Sequence, residues 1–314
     1  MIKSFGLNTI KELANLLKVS KRITIKNSEP YVYILPAVLL VIVFMAIPII
    51  YGVRTSFFHY KLNDINVFFC GLQNYKDVLA DKVFSIALKN SFWWVVISLV
   101  FQALLGVALA MCLNKPFKGR GLYQAIVLAP WAVSGFLIGL IWKWLFNGQY
   151  GLINDILLKM HIINTPIAFT AQENTALMIN IIANIWYGIP FFAIMTLAAL
   201  QSIPEEMYEA ANIDGASHIG KFFNITLPYI KPTLLVTILL RVIWIFNFAD
   251  IIYIITNGGP AHSSEILATF IIFKAYKALD FGQASAIGVI FMLILLLYVA
   301  VYTWFTKFEE AGDF

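Results

Sequence analysis

The sequence predicts an all-α, polytopic membrane helix bundle, and three observations carry that prediction. Of 314 residues, 61% are hydrophobic and only 12% are charged, where a soluble domain carries about 25% charge. Mean hydropathy is +0.81, so the apolar surface exceeds what polar side chains can cover, and lipid must solvate most of the chain. The apolar residues also fall into six runs, 31–53, 92–113, 124–146, 176–200, 233–256 and 284–305. Each approaches the roughly 20 residues needed to cross about 30 Å of hydrocarbon. Each is expected to be a helix, because a segment in hydrocarbon must satisfy its own backbone amides. All six are too long for a signal-peptide core, and no small-residue cleavage site follows the first.

The first 30 residues form a separate basic segment with Lys3, Lys11, Lys18, Lys21, Arg22 and Lys26. Phe5, Ile10, Leu13 and Leu17 recur there at helical spacing, which suits either an interfacial helix or a frayed basic tail. The loop after span two carries Lys115, Lys118 and Arg120 with no acid. Both regions are therefore expected on the cytoplasmic side, and six spans return the C-terminus to it. The opposite loops hold Lys61, Lys76, Lys82 and Lys89, but Asp64, Asp77 and Asp81 accompany them. Span three ends in Trp142, Trp144 and Phe146, as an interfacial aromatic belt does, and Lys143 among them can snorkel outward.

The net charge of +5 resides in loops and tail, so nucleic acid is not an implied partner. Cys70 and Cys112 are expected on opposite sides of the membrane, too far apart for a disulfide. The four histidines, His59, His161, His218 and His262, are scattered, and no metal site is expected.

In span four Asn180, Asn184, Tyr187 and Phe191 share one helical face, beside Gly188 and Pro190, which can bend the helix. Buried polar side chains are expensive, so this face lines a pathway or glues helices together. In span five Arg241, Trp244, Ile245 and Phe248 share a face, while Asn247 and Asp250 share another. Along a regular helix Arg241 and Asp250 would lie roughly 13 Å apart on opposite sides and could not pair. Arg241 lies about 12 Å inside its span, so a water-lined or ligand-lined interior suits it better than snorkelling. Tyr187 reaches a similar depth.

The loop 201–232 reads QSIPEEMYEAANIDGASHIGKFFNITLPYIKP. Ser202 with Glu205 forms the pattern of a capping box, and Pro204 fits the first helical turn. The helix should stop at Gly215. A second short helix is expected from about Ala216 toward Leu227, ended by Pro228. Glu205, Glu206, Glu209 and Asp214 outnumber Lys221 and Lys231. An acidic helix with small residues at Ala210 and Ala211 suits close docking on a basic cleft, or is a solvated re-entry loop. Gly215 to Lys221 matches most of a P-loop, but Phe222 stands where Ser or Thr must hold magnesium, and no strand precedes it. Nucleotide hydrolysis by this chain is not expected.

Glu209-Ala210-Ala211, then Gly215, then Ile225-x-Leu227-Pro228 resembles the EAA motif of binding-protein-dependent ABC permeases. Thr256-Asn257-Gly258-Gly259-Pro260 is similar to the signature of the carbohydrate-uptake, maltose-type branch. The resemblance covers spans two to six and leaves residues 1–30 outside. It implies a type I ABC importer permease fold over 31–314, with a core of about 84–305 and the coupling loop 201–232.

It further implies a non-enzymatic subunit in a prokaryotic plasma membrane, both termini cytoplasmic. Its partners would be a homologous second permease, two ATPase subunits that carry ATP and Mg, an extracytoplasmic solute-binding protein and membrane lipid. The cargo would be a sugar or oligosaccharide, with no cofactor in this chain. Glu205, Glu209, Ala210, Ala211 and Gly215 would couple to the ATPase. Asn184, Tyr187, Gly188, Phe191, Arg241, Trp244, Ile245 and Phe248 would contact sugar. Arg241 departs from the uncharged residue of the maltose pattern and suits an acidic sugar or a carboxylate of the second permease. The alternative class is an ion-coupled secondary transporter, which would need inverted repeats and broken midplane helices. No internal repeat is present, and Asp250 is the lone embedded acid.

Overall fold

The computed structural model describes residue 31, residues 33–64 and residues 66–306. The expectations for residues 1–30 and for the C-terminus lie outside these. The chain divides after Arg54 into two compact units. The first is described through one apolar helix, α1 (Tyr33–Thr55), which includes a π turn at Ile42–Ala46.

The second unit opens with a two-stranded antiparallel hairpin, β1 (Phe58–His59) and β2 (Phe68–Phe69), followed by α2 (Gln73–Ala80). α3 (Lys82–Asn114) starts from Asp81, whose carboxylate accepts the Val83 N–H at 2.9 Å. Two helices replace the single third span expected at 124–146. These are α4 (Arg120–Leu128) and α5 (Gly135–Leu145), and their axes differ by 95°. Between them Pro130 sits in a 3-10 turn, Val133 is extended, and Ser134 caps the new helix. Hydropathy runs through this stretch unbroken. The missing proline N–H and the serine cap break the helix all the same.

After α6 (Leu152–Lys159), α7 (Glu173–Gln201) runs without interruption through Pro190. α8 (Glu205–Ile213) follows. A one-turn helix, His218–Lys221, and a π turn, Phe222–Thr226, then lead directly into α9 (Leu227–Asn247). Pro228 therefore does not end a helix, contrary to expectation. The π turn widens the backbone where the proline ring would otherwise meet the preceding turn.

α9 stops at Phe248 (φ −84, ψ 77), and α10 (Asp250–Ile255) resumes. Arg241 and Asp250 are thus separated by a break and not by a regular helix. α11 (Leu267–Ile272) and α12 (Phe281–Thr306) complete the unit. By length and composition five described helices can cross a membrane, or six if the bent α4–α5 pair is one span.

α3 and α7 run side by side. Trp94 packs with Ile179 and Ile181 near one end, and Leu113 packs with Leu197 and Leu200 near the other. The two cysteines are free. Cys112 lies in the last turn of α3, whereas Cys70, beside the hairpin, donates to Phe57 O.

Candidate functional site

α8 stands at the end of the bundle opposite the hairpin. It begins directly after Pro204, which occupies the N-cap, so the expected capping box does not form. The Ser202 hydroxyl turns back instead and donates to Ala199 O at 2.8 Å. This satisfies the end of α7 and leaves nothing for α8.

The helix stops where the sequence predicts. Gly215 adopts φ +76, a left-handed conformation that a β-branched residue resists. Its N–H donates to Asn212 O at 3.1 Å, and the Ala216 N–H donates to Ala211 O at 2.9 Å. That pair is a Schellman closure. Glu205, Glu206, Glu209 and Ala210 are exposed and Ala211 is half-buried. Among the described residues none of these glutamates makes an ion pair. The result is an acidic, small-residue surface whose glutamates have no ion-pair partner among the described residues.

Two side-chain bonds tie α8 to the start of α9. Tyr208 Oη lies 2.9 Å from Thr226 Oγ1, and Lys221 Nζ donates to Asn212 Oδ1 at 2.6 Å. The sequence offers a hint of Tyr208, since it is the one aromatic residue of α8.

The second constellation lies midway along the bundle, where α3, α7 and α9 meet. Arg241 is only 3% exposed. Its Nε donates to Gln102 Oε1 at 2.7 Å, and Gln102 Nε2 donates to Asn184 O at 2.8 Å. The guanidinium lies over the Tyr187 ring at 5.7 Å, a cation–π contact. A Cβ at Gly188 would collide with the Gln102 amide and the Arg241 guanidinium, so only glycine admits this approach. Arg241 Nη2 and both amide atoms of Asn184 are buried and have no hydrogen-bond partner.

Aromatic rings flank this seam. Tyr187 stacks on Phe248 at 5.0 Å with 19° between planes. Phe191 packs on Trp244 at 5.0 Å and on Trp131 at 6.2 Å. Trp244 and Trp131 remain 43% and 45% exposed.

Six of the eight expected sugar-site residues therefore cluster: Tyr187, Gly188, Phe191, Arg241, Trp244 and Phe248. Two are turned elsewhere. Ile245 is buried in the core, its carbonyl accepting the Trp94 indole N–H at 2.8 Å. Asn184 is fully buried in the α3–α7 seam. Gln102 and Trp131 were missed. Gln102 is a glutamine inside an apolar run of span two, a signal of the same kind that singled out Arg241. Asn180 serves the hairpin end instead, where it donates to Thr256 Oγ1 at 3.1 Å.

Comparison with known proteins places the chain in a family. The family model described as the inner membrane component of binding-protein-dependent transport systems matches residues 102–309. The chain is 36% identical over 286 residues to the trehalose/maltose transport system permease protein MalF of Thermococcus litoralis, covering 89% of this chain and 94% of that one. It is 34% identical over 268 residues to the sulfoquinovosyl glycerol transport system permease protein SmoG of Agrobacterium fabrum, covering 85% and 86%. A crystal structure of a bacterial ABC transporter involved in the import of the acidic polysaccharide alginate contains a chain with 26% identity and a TM-score of 0.78. The match covers 90% of this chain and 97% of that one.

Proposed function

The chain belongs to the family of binding-protein-dependent transport system inner membrane components, and from that premise we propose that it is the sugar-translocating permease of an ATP-driven importer. The observation that carries the proposal is α8, an exposed acidic helix closed by Gly215, whose glutamates make no ion pair among the described residues. Such a surface suits a basic groove on a separate ATPase. Glu205, Glu209, Ala210, Ala211 and Gly215 form the contact, and ATP and Mg reside on that subunit. A second permease, two ATPase subunits and an extracytoplasmic binding protein complete the complex in a prokaryotic plasma membrane. α8 faces the cytoplasm and the hairpin faces outward. Against this orientation, a membrane-impermeant thiol label should reach Cys70 but not Cys112 in intact cells. Labelling of a Lys118→Cys variant from outside would reverse it.

The cargo is a sugar or oligosaccharide. Relatives named for trehalose/maltose and for sulfoquinovosyl glycerol support that class. So do the open rings of Trp131 and Trp244, which offer apolar faces to sugar rings. Arg241 supports an acidic sugar, because Nη2 lacks an acceptor among the described residues and an ionised partner makes the strongest hydrogen bonds. Alginate, the cargo named for the 26%-identical structure, is an acidic polysaccharide.

Alternating access works through the seam. Binding protein delivers sugar at the hairpin end, and ATP binding draws the two ATPase subunits together beneath α8. Movement of α8 passes through Tyr208–Thr226 into α9, which carries Arg241 and Trp244. Uptake of neutral and acidic oligosaccharides by the reconstituted complex tests the reading. Transport of neither, with the ATPase assembled and active, would refute it.

A further inference from the structure

The α8 end holds a second feature, on the side away from its exposed acidic face. A cavity of about 550 Å³ lies behind α8, between the end of α3 and the start of α9. Lys115, His218 and Lys221 line it together with the apolar Met111, Leu200 and Phe222. Among the described residues no carboxylate lines it, and neither lysine makes an ion pair. The loop that brings in Lys115 also carries Lys118 and Arg120, and the Nε and Nη2 of Arg120 are buried without an acceptor.

Two lysines line one cavity, and the neutral Asn212 amide that holds Lys221 leaves their like charges without an opposite charge to offset them. The apolar lining sits where membrane-spanning helices end. A phosphate flanked by an acyl chain matches both parts of the lining: the lysines donate to its oxygens, and the chain lies along Met111, Leu200 and Phe222. We propose that this cavity is a phosphate site occupied by the headgroup of an anionic phospholipid. Lys221 also holds Asn212 of α8, so an occupied site would brace the coupling helix from behind. A phosphorylated solute offers the same oxygens but leaves the apolar lining bare. The inference depends on the chain spanning a membrane and not on the sugar it carries.

The assembled transporter, equilibrated with phosphatidylcholine vesicles containing phosphatidylglycerol and then delipidated, reports the site through the phosphatidylglycerol it retains in native mass spectrometry. Each lysine near a membrane surface contributes about a fivefold gain in anionic-lipid binding. Lys115→Gln should therefore lower retention about fivefold, and Lys115→Gln with Lys221→Gln about thirtyfold. Lys115→Arg with Lys221→Arg should retain the lipid. Lys118→Gln, outside the cavity lining, should leave retention unchanged. The single variant keeps the test decisive if the double variant fails to assemble. Equal retention by wild type and Lys115→Gln would overturn the proposal. So would lysine-dependent binding of inorganic phosphate with no preference for phosphatidylglycerol over phosphatidylcholine, which would make a free phosphate compound the occupant.

Discussion

The two ends of the bundle are held in different ways. At the hairpin end, side chains from α3 and α7 reach one loop and its flanks, 256–267, and a lysine cross-link stands beside it. Asn90 donates to the carbonyls of Ser263 and Glu265, both at 2.9 Å, and the Ser91 hydroxyl accepts from the Leu267 N–H. Ser264 donates to Thr256 Oγ1 and to Gly259 O, and Asn180 also donates to Thr256. Lys274 bridges Asp81 at 3.0 Å and Gln283 at 2.8 Å. At the other end α8 hangs on two side-chain bonds, Tyr208–Thr226 and Lys221–Asn212. Dense cross-links between distant segments make a region open only as a unit, whereas sparse contacts let a helix move by itself. The hairpin end is thus built to keep its shape, as the proposed docking of a binding protein there requires. The α8 end is free to be pulled, and the Arg241–Gln102–Asn184 seam ties the three helices between them.

That contrast is broken most severely at Gly215. Gly215→Val forces a β-branched residue into a left-handed conformation, at a strain of about 1–3 kcal/mol. Uptake should be abolished with the chain still in the membrane, and Glu209→Lys should do the same by reversing the docking charge. Membrane yield measured beside uptake separates the two effects.

The seam comes next. Arg241→Ala removes charge-assisted hydrogen bonds, each worth about 1.5–3 kcal/mol. Uptake of an acidic sugar should fall by roughly 10- to 100-fold, and a neutral analogue should suffer far less. Equal loss for both, together with low complex yield, would assign Arg241 to assembly with the second permease. Arg241→Lys keeps charge but not the fork that reaches Gln102, and should recover only part of the acidic uptake.

A smaller effect is expected at the hairpin end. Burial alone would raise the Asp81 carboxyl, but the Lys274 hydrogen bond and the Val83 N–H outweigh it and hold the group below its ordinary value of 3.8. A depressed carboxylate stabilises the fold fully above that value, and the gain disappears as pH falls through the lower folded value. Asp81→Asn should therefore cost about 1 kcal/mol or less at pH 7, given partial exposure. The thermal-midpoint gap from wild type should close below the ordinary carboxylate range. A gap unchanged at low pH would mean the ion pair adds nothing.

The smallest change is Tyr208→Phe. It removes one partly buried hydrogen bond of about 1 kcal/mol. Uptake should drop severalfold relative to ATP hydrolysis, because α8 would slip against α9. A proportional fall in both would contradict a positioning role.

Much of this was legible in the sequence, for identifiable reasons. The stop of α8 was readable because a left-handed Schellman closure demands glycine, and Gly215 stands at that position. Its start was misread because Ser202 had two uses, and its hydroxyl went back to α7. Pro228 resembled a terminator only in the absence of the π turn that precedes it, a feature no residue pattern announces. The breaks at Val133 and Phe248 were hidden because hydropathy measures solvent preference and not backbone continuity. Helical spacing puts Tyr187 and Phe191 on one face of their span and Arg241 and Trp244 on one face of theirs, and the side chains do meet. Their assignment to sugar comes from the family resemblance. Gln102 was missed because its value lies in a contact from a third helix, 139 positions away from Arg241.

The central claim is that energy enters at α8 and sugar at the hairpin end. The most direct test is sugar uptake into vesicles holding the full complex, with ATP and binding protein each supplied on one side and ion gradients collapsed by ionophores. The account predicts uptake only when ATP is on the α8 side and binding protein on the hairpin side, undiminished by the ionophores. Uptake that ignores ATP and vanishes with the ion gradient would contradict it.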